Sequence, residues 1–455
     1  MELHKRIFLL ITGDTLAAVL AILTAIAIQQ NMLPAFSDVV SLGASRIALF
    51  VLVLVFLSFL AEIYKNHHEL VTSDIAYKII FSLGVACLVF AVLSYAHPDD
   101  PYGNSLLVSA IIAFGLLQFL CHVTYRLYVK FKGFARRVLI LGVGPLAGQM
   151  GAIIPVSDEN YILSGYVQCA NEPSQVPPSV IVGNAGGLYE TAKREHADKI
   201  VVSLSERRGV FPIQEVMACK LDGIEVIDAH TFYEQVTGKL FLEGMNPSWI
   251  IFSEGFKVGS VRKFLKRSVD IFCAVTGILL VAPFFPLIAL AIKLDSAGPV
   301  FYRQERVGEK EKPFNLYKFR TMCANAEQGT GAVWAQQNDA RVTRVGAFFR
   351  KTRIDELPQF FNILLGDMSM VGPRPERPEF VGKLKQVIPY YSERHFVKPG
   401  VTGWAQVRYP YGASVEDAVE KLRYDLYYIK NLTLGLDFMI ILETIRVVLF
   451  RKGSR

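Results

Sequence analysis

The chain has 455 residues, 52% of them hydrophobic and 20% charged, with 48 Lys and Arg against 41 Asp and Glu for a formal net charge of +7. That length predicts two or three domains. The mixture of apolar and charged residues excludes a disordered chain, a collagen, a small disulfide scaffold, an ordinary soluble enzyme and a chain buried wholly in membrane.

Four apolar runs fill the first third, at residues 7–29, 45–64, 76–96 and 105–129. Each is near the ~20 residues a helix needs to cross ~30 Å of hydrocarbon. The first is too long for a cleavable signal and lacks a small-residue cleavage site; Asp14 within it is expected to face other helices rather than lipid. Lys5 and Arg6 precede the first run, Lys65 and Lys78 lie around the start of the third, and Lys130, Lys132, Arg136 and Arg137 follow the fourth. Residues 97–104 carry Asp99 and Asp100 but no Lys or Arg. The positive-inside rule then places the N-terminus and everything after Arg136 on the cytoplasmic side. A transporter is the membrane-only alternative, against which stand the small bundle, its scarcity of charge and the lack of a visible repeat.

Residues 136–260 read as a Rossmann-like α/β domain. An apolar strand runs into Gly142-Val-Gly144-Pro-Leu-Ala-Gly148, and short apolar strands are expected at 166–169, 180–182, 199–204 and 224–227. The glycines follow G-x-G-x-x-x-G, one residue longer than the usual dinucleotide fingerprint, and the nearest acid after the second strand is Glu172 in a Pro-rich loop. The region therefore reads as structural or regulatory rather than as a working NAD site. The six cysteines (Cys87, Cys121, Cys169, Cys219, Cys273, Cys323) are scattered without a CxxC, which suits reduced structural thiols.

The third domain, residues 261–455, opens with an apolar stretch at 264–292. Pro283 and Pro286 in its middle each remove a helix hydrogen bond, and both flanks are basic: Lys263, Lys266 and Arg267 before, Lys293 after. A re-entrant helix that enters the membrane, breaks at Ala282-Pro283-Phe-Phe-Pro286 and returns to the same face satisfies both facts. An ordinary fifth crossing is the alternative. Residues 432–450, with Asp437, Glu443 and Arg446 and a basic tail of Arg451, Lys452 and Arg455, read as interfacial.

The basic excess belongs to this part. From Arg262 onward 30 basic and 19 acidic residues make a local +11, leaving 18 basic and 22 acidic, −4, for the rest. Here Asp355 and Glu356 form an acidic pair followed by Pro358, which suits a helix's first turn. Asp355 is thus expected near a helix N-terminus, with Arg350, Lys351 and Arg353 lowering its pKa further. Such an ionised carboxylate is a candidate nucleophile towards phosphorus, and Glu356 a candidate Mg²⁺ ligand. Taken alone, Thr352-x-x-Asp355 reads instead as a capping box. Lys318 and Arg320, two apart on a strand, would share a face and hold two phosphate oxygens; a solvated basic edge is the plainer reading. Arg374, fixed between Pro373 and Pro375, suits a bidentate phosphate or uracil contact or else an exposed turn.

The strings KFRTM (318–322), RIDELPQ (353–359), GDMSMVGPRPE (366–376) and KPGVTGWAQV (398–407), in this order after the broken helix, resemble the bacterial sugar transferases called monotopic phosphoglycosyl transferases over residues 262–450. With a four-helix bundle and a Rossmann-like domain in front, the chain is similar to the large undecaprenyl-phosphate hexose phosphotransferase type. The string PSWIIFSEG at 247–255 resembles the exosortase-associated exopolysaccharide branch. The resemblance implies that Asp355 attacks the β-phosphate of a UDP-sugar, expels UMP and holds the phosphosugar until a polyprenyl phosphate takes it. It further implies Glu356 as the Mg²⁺ ligand, Arg350 as a phosphate contact, a bacterial inner-membrane location and a homodimer. Arg303, Arg341 and Arg353 join Lys318, Arg320 and Arg374 as substrate-binding candidates from the same motifs. The family usually has Ser-Pro at the helix break, where this chain has Ala282-Pro283.

Two anionic substrates and an anionic leaflet account for the local +11 without nucleic acid. Two other functions compete. A membrane-tethered NAD-dependent nucleotide-sugar enzyme would use the middle domain, where Tyr189-x-x-x-Lys193 matches the spacing of a catalytic Tyr-Lys pair. A non-catalytic polysaccharide-export scaffold would have no need of the dyad.

Overall fold

The computed structural model describes residues 2–30, 44–61, 63–64, 72–96, 104–130, 136–155, 161–169, 173–204, 211–243, 255–256, 259–323, 326, 339, 341–409, 412 and 414–450. Among the described residues the fold is mostly helical, with a five-stranded parallel sheet, and the chain divides into two compact units, Met1–Thr237 and Gly238–Arg455. Glu172, most of the 247–255 string, the loop acids Asp99 and Asp100 and the basic tail lie outside the described residues.

The first unit begins with four helices, α1 Glu2–Gln30, α2 Ala44–Leu60, α3 Thr72–Ala96 and α4 Asn104–Lys130. Within them Phe8–Gln29, Ile75–Leu93 and Leu106–Tyr125 are long and apolar enough to cross a membrane, whereas α2 is shorter, at 17 residues. It stops sooner than the apolar run suggested, and the turn that follows brings the Tyr64 hydroxyl to Asp14 Oδ2 at 2.7 Å. On α1 the small residues Ala17, Ala18, Ala21 and Ala25 are buried, so neighbouring helices approach closely. Asp14 is fully buried between helices, as expected, and accepts from Gln118 Nε2 at 2.5 Å, with His122 Nε2 at 3.1 Å.

The middle region supplies β1 Arg136–Leu141, α5 Pro145–Ile153, β2 Tyr161–Gln168, β3 Ile181–Asn184, α6 Leu188–Arg194, β4 Lys199–Val202, α7 Ile213–Leu221, β5 Glu225–Asp228 and α8 Ala229–Thr237. All pairings are parallel in the order β3-β2-β1-β4-β5, and β1 is an unbroken buried run from Val138 to Leu141, as a strand covered on both faces requires. The Gly142–Gly144 turn leaves β1 where the order reverses. A Cβ at Gly151 would collide with the Tyr166 hydroxyl, whereas Gly148 has room for one. Lys193 lies over the Tyr189 ring at 4.4 Å and pairs with Asp222 on the surface of α6. All six cysteines are free thiols.

The second unit holds α9 Ser260–Val281, a 3₁₀ turn Ala282–Phe284, α10 Phe285–Asp295, β6 Phe301–Val307, β7 Pro313–Phe319, α11 Arg344–Thr352, a 3₁₀ turn Ile354–Glu356, α12 Gln359–Leu365, β8 Ser369–Val371, α13 Pro378–Val387, β9 Gly400–Thr402, α14 Trp404–Arg408, α15 Val415–Lys430 and α16 Leu434–Phe450. β6 and β7 form an antiparallel ribbon; β8 and β9 pair in parallel. Its core joins Val371, Trp404, Leu422, Leu426, Leu436 and Ile440. Residues 238–243, placed with the middle region by the sequence, bond within this unit: Leu240 N donates to Arg423 O at 3.1 Å, and Gly238 O accepts from Trp404 Nε1 at 2.8 Å.

The helix of Ser260–Asp295 is the fourth among the described residues that is long and apolar enough to cross a membrane, yet only 6% of its apolar window is buried by protein. The 3₁₀ turn interrupts it where the prolines stand, with Val281 just before the turn at φ −94° and Phe284 at its end at φ −90°. Arg267 near its start donates to Ile363 O (2.5 Å) and Leu364 O (2.9 Å), and Arg320 holds the carbonyls of Ser296 (2.6 Å) and Ala297 (2.7 Å) at its end. These two anchors are close together, because Asn362 Oδ1 accepts from Tyr317 N at 3.0 Å, three residues from Arg320. Residues on both sides of the break are thus held by the same unit.

Candidate active site

The dyad sits on the turn between α11 and α12. Thr343 caps α11 through Gly346 N at 3.0 Å, and Gly346 is required because a Cβ there would collide with the Thr321 backbone. Arg353 closes α11 in the left-handed conformation (φ 61°) and turns the chain into Ile354–Glu356. The capping box is absent: the Thr352 hydroxyl donates back to Phe348 O at 2.8 Å, leaving Asp355 unengaged by it. Asn362 fastens the following helix to β7 through Tyr317 N and through Asn315 O at 2.7 Å, which fixes Lys318 opposite the dyad.

The two carboxylates are buried alike, each 7% exposed, and partnered differently. Glu356 Oε1 faces Arg374 Nη2 at 2.6 Å and Lys318 Nζ and Arg353 Nη1 at 3.4 Å each. Burial would raise its pKa, but Arg374, Lys318 and Arg353 outweigh that and hold it well below the usual carboxylate range. Asp355 Oδ1 is buried without a hydrogen-bond partner among the described residues. Burial pushes the Asp355 carboxyl up, against Lys318, while the charge of Glu356 adds to the rise. This corrects the expectation of a lowered pKa. Arg350 turns away to Thr321 Oγ1 at 2.9 Å, Lys351 is exposed, and α12 begins only at Gln359 and lasts seven residues. The cations nearest the dyad are concentrated on Glu356.

Of the candidate substrate contacts, the fold thus gathers Lys318, Arg353 and Arg374 around Asp355 and Glu356. Arg320 is not with them. It is 7% exposed, its guanidinium is committed to the end of α10, and the shared face with Lys318 is lost because β7 ends between them. Arg320→Ala is expected to cost about 2–4 kcal/mol by orphaning buried carbonyls, read as a lower melting temperature. Arg303 stacks on Tyr317 at 5.6 Å on the exposed ribbon, and Arg341 is paired with Asp339 at 2.6 Å.

Sequence reasoning missed two features. One is a buried pair, Arg394 and Asp425 at 2.8 Å, behind Arg374; the lone Asp on the apolar face of α15, between Leu422 and Leu426, was its only signal. The other is an apolar groove of about 390 Å³ lined by Val281, Phe284, Leu287, Ile288, Phe349 and Ile354, together with Ala291 and Leu357. Ile354 and Leu357 precede and follow the dyad in sequence, so the groove is lined by the same turn that carries the carboxylates.

No group of three or more His, Cys, Asp or Glu capable of holding a metal is found among the described residues. Mg²⁺ needs fewer, because it keeps waters and takes phosphate oxygens beside one or two carboxylates. Glu356, with the unpartnered oxygen of Asp355 beside it, fits that donor set.

A family profile described as bacterial sugar transferase matches residues 261–451. The chain is 45% identical over 237 residues to a UDP-N-acetylgalactosamine-undecaprenyl-phosphate N-acetylgalactosaminephosphotransferase of Aeromonas hydrophila, a match covering 52% of this chain and 55% of the relative. It is 42% identical over 206 residues to the UDP-glucose:undecaprenyl-phosphate glucose-1-phosphate transferase of Escherichia coli K12, covering 45% and 44%. Over 387 residues it is 30% identical to an undecaprenyl-phosphate glucose phosphotransferase of Komagataeibacter xylinus, covering 83% of this chain and 71% of that one. The match spans about half the length of the first two relatives. The chain belongs to the bacterial sugar transferase family.

Proposed function

We propose that this protein transfers a sugar-1-phosphate from a UDP-sugar to polyprenyl phosphate at a membrane surface, through a covalent aspartyl-phosphosugar. The split dyad carries this reading. One carboxylate is neutralised by three cations, and its neighbour has an unpartnered oxygen beside those same cations. An Asp355 oxygen attacks the β-phosphorus, the bond from that phosphorus to the bridging oxygen breaks, and UMP leaves with the bridging oxygen. An oxygen of polyprenyl phosphate then attacks the same phosphorus and expels the Asp355 carboxylate, forming the lipid-linked diphosphate. Lys318, Arg353 and Arg374 balance the phosphate charge in both steps. Mg²⁺, held by Glu356, would supply further neutralisation of the diphosphate.

The architecture supports this chemistry at a membrane. The bent helix presents exposed Phe272, Leu279, Leu280, Leu287 and Leu290, which suits a segment that enters the bilayer and returns. The groove leading to Ile354 and Leu357 suits the first part of a polyprenyl chain whose phosphate must reach Asp355. Three apolar helices of the first unit serve as crossings in this reading, with the shorter α2 as the fourth. The relatives' names include both glucose and N-acetylgalactosamine, so the sugar is a matter for assay.

The test is to incubate the purified protein with labelled UDP-glucose or UDP-N-acetylgalactosamine, undecaprenyl phosphate and Mg²⁺. Label entering the organic phase, with equimolar UMP in the aqueous phase, is expected for at least one donor. Sugar-dependent reduction of NAD without lipid-linked label would favour the dehydrogenase alternative and end this reading.

A further inference from the structure

Prolines at 373 and 375 deprive the segment around Arg374 of two backbone donors, which shifts its anchoring towards its carbonyls. Four consecutive carbonyls are anchored. Pro373 O accepts from Gly400 N at 3.0 Å, Arg374 O from Arg394 Nη2 at 3.0 Å, Pro375 O from Arg306 Nη1 at 3.1 Å, and Glu376 O from Val307 N at 2.9 Å. Arg394 is itself built in. It is 6% exposed, its Nη1 donates to the Tyr391 hydroxyl at 2.6 Å, and its Nη2 pairs with Asp425 at 2.8 Å. Asp425 is 2% exposed on α15, which packs in the core through Leu422 and Leu426.

We infer that Arg394 and Asp425 are a positioning pair that holds the Arg374 main chain so that its guanidinium meets Glu356 and the substrate phosphate. The bonds of Arg394 run to Tyr391, Arg374 O and Asp425 and not to the dyad, so both residues act through Arg374. A planar fork is needed, because one guanidinium reaches the hydroxyl, the carboxylate and the carbonyl together, which a lysine ammonium cannot do. A buried ion pair contributes little net stability when intact, which leaves geometry at Arg374 as the function the pair serves. This inference rests on the transferase reading above.

The experiment is a double-mutant cycle on single-turnover UMP release by the full-length protein, using Arg394→Lys, Arg374→Lys and the double variant. Arg394→Lys is expected to slow release 10–100-fold with a smaller change in KM. In the Arg374→Lys background the same change should cost less than threefold, since a residue that works through Arg374 has nothing left to position. Equal fold-losses in both backgrounds would overturn the inference, as would wild-type rates in Arg394→Lys. If Arg394→Lys fails to fold, Asp425→Asn, which keeps the shape and a hydrogen-bond acceptor, is put through the same cycle with the same criteria. Absence of UMP release from the wild-type protein would instead count against the transferase reading.

Discussion

Asp355→Asn is expected to lower UMP release at least ~10³-fold, the scale on which covalent nucleophiles are lost, and at the same time to raise the melting temperature at pH 8. The two effects have one cause. Burial pushes the Asp355 carboxyl above its ordinary value, against the pull of Lys318. A group with a raised folded pKa contributes stability that is present below the unfolded value and lost as pH rises through the folded one. At pH 8 the ionised Asp355 therefore burdens the fold, and the amide relieves it. The acid limb of the wild-type pH-rate profile should lie above the ~3.9 of a free aspartate. A variant that is inactive and also less stable would show that Asp355 holds the fold rather than reacts.

Glu356→Gln should move stability the other way. The glutamate lies among Arg374, Lys318 and Arg353, which outweigh its burial and keep it ionised far into acid. Its stabilising contribution is present above the ~4.3 of a free glutamate and lost as pH falls through the folded value. Removing the charge leaves three cations facing one another. Breaking a fully buried pair costs 3–5 kcal/mol, but Arg374, Lys318 and Arg353 are 34%, 19% and 40% exposed, so about 2–3 kcal/mol is expected. UMP release should fall about 10²-fold, with a weakened response to Mg²⁺ titration. Two adjacent carboxylates, shortened to their amides, would thus shift the melting temperature in opposite directions at pH 8. Shifts of the same sign would mean that the partition of cations between them is wrong.

What the sequence made legible follows from how local each signal is. The α/β alternation of the middle region was readable because buried parallel strands are short apolar runs, as in Val138–Leu141. The front half of β2 escaped notice, since Tyr161–Gly165 includes Ser164 and Gly165 and resembles a loop. Pro283 and Pro286 marked the helix break because a proline's effect on its own helix needs no partner. Asp355 and Glu356 were likewise legible as a pair. Which of them collects the cations was not, because Lys318 and Arg374 reach Glu356 from 38 and 18 residues away. The same limit explains Arg320: two residues from Lys318 in sequence, it lies beyond the end of β7 and serves the far limb of the bent helix. The Arg394–Asp425 pair left only a lone Asp on an apolar helix face as a signal for the same reason, its members being joined only by folding.

The most direct measurement is to identify the covalent adduct. The protein is incubated with UDP-sugar and Mg²⁺ without lipid acceptor, quenched in acid, digested and examined by mass spectrometry. A sugar-phosphate added to the peptide containing Arg353–Gln359 and localised to Asp355, formed with one UMP per adduct and discharged on adding polyprenyl phosphate, is the predicted result. UMP released only when the lipid acceptor is present, with no adduct trapped at Asp355, would contradict the mechanism.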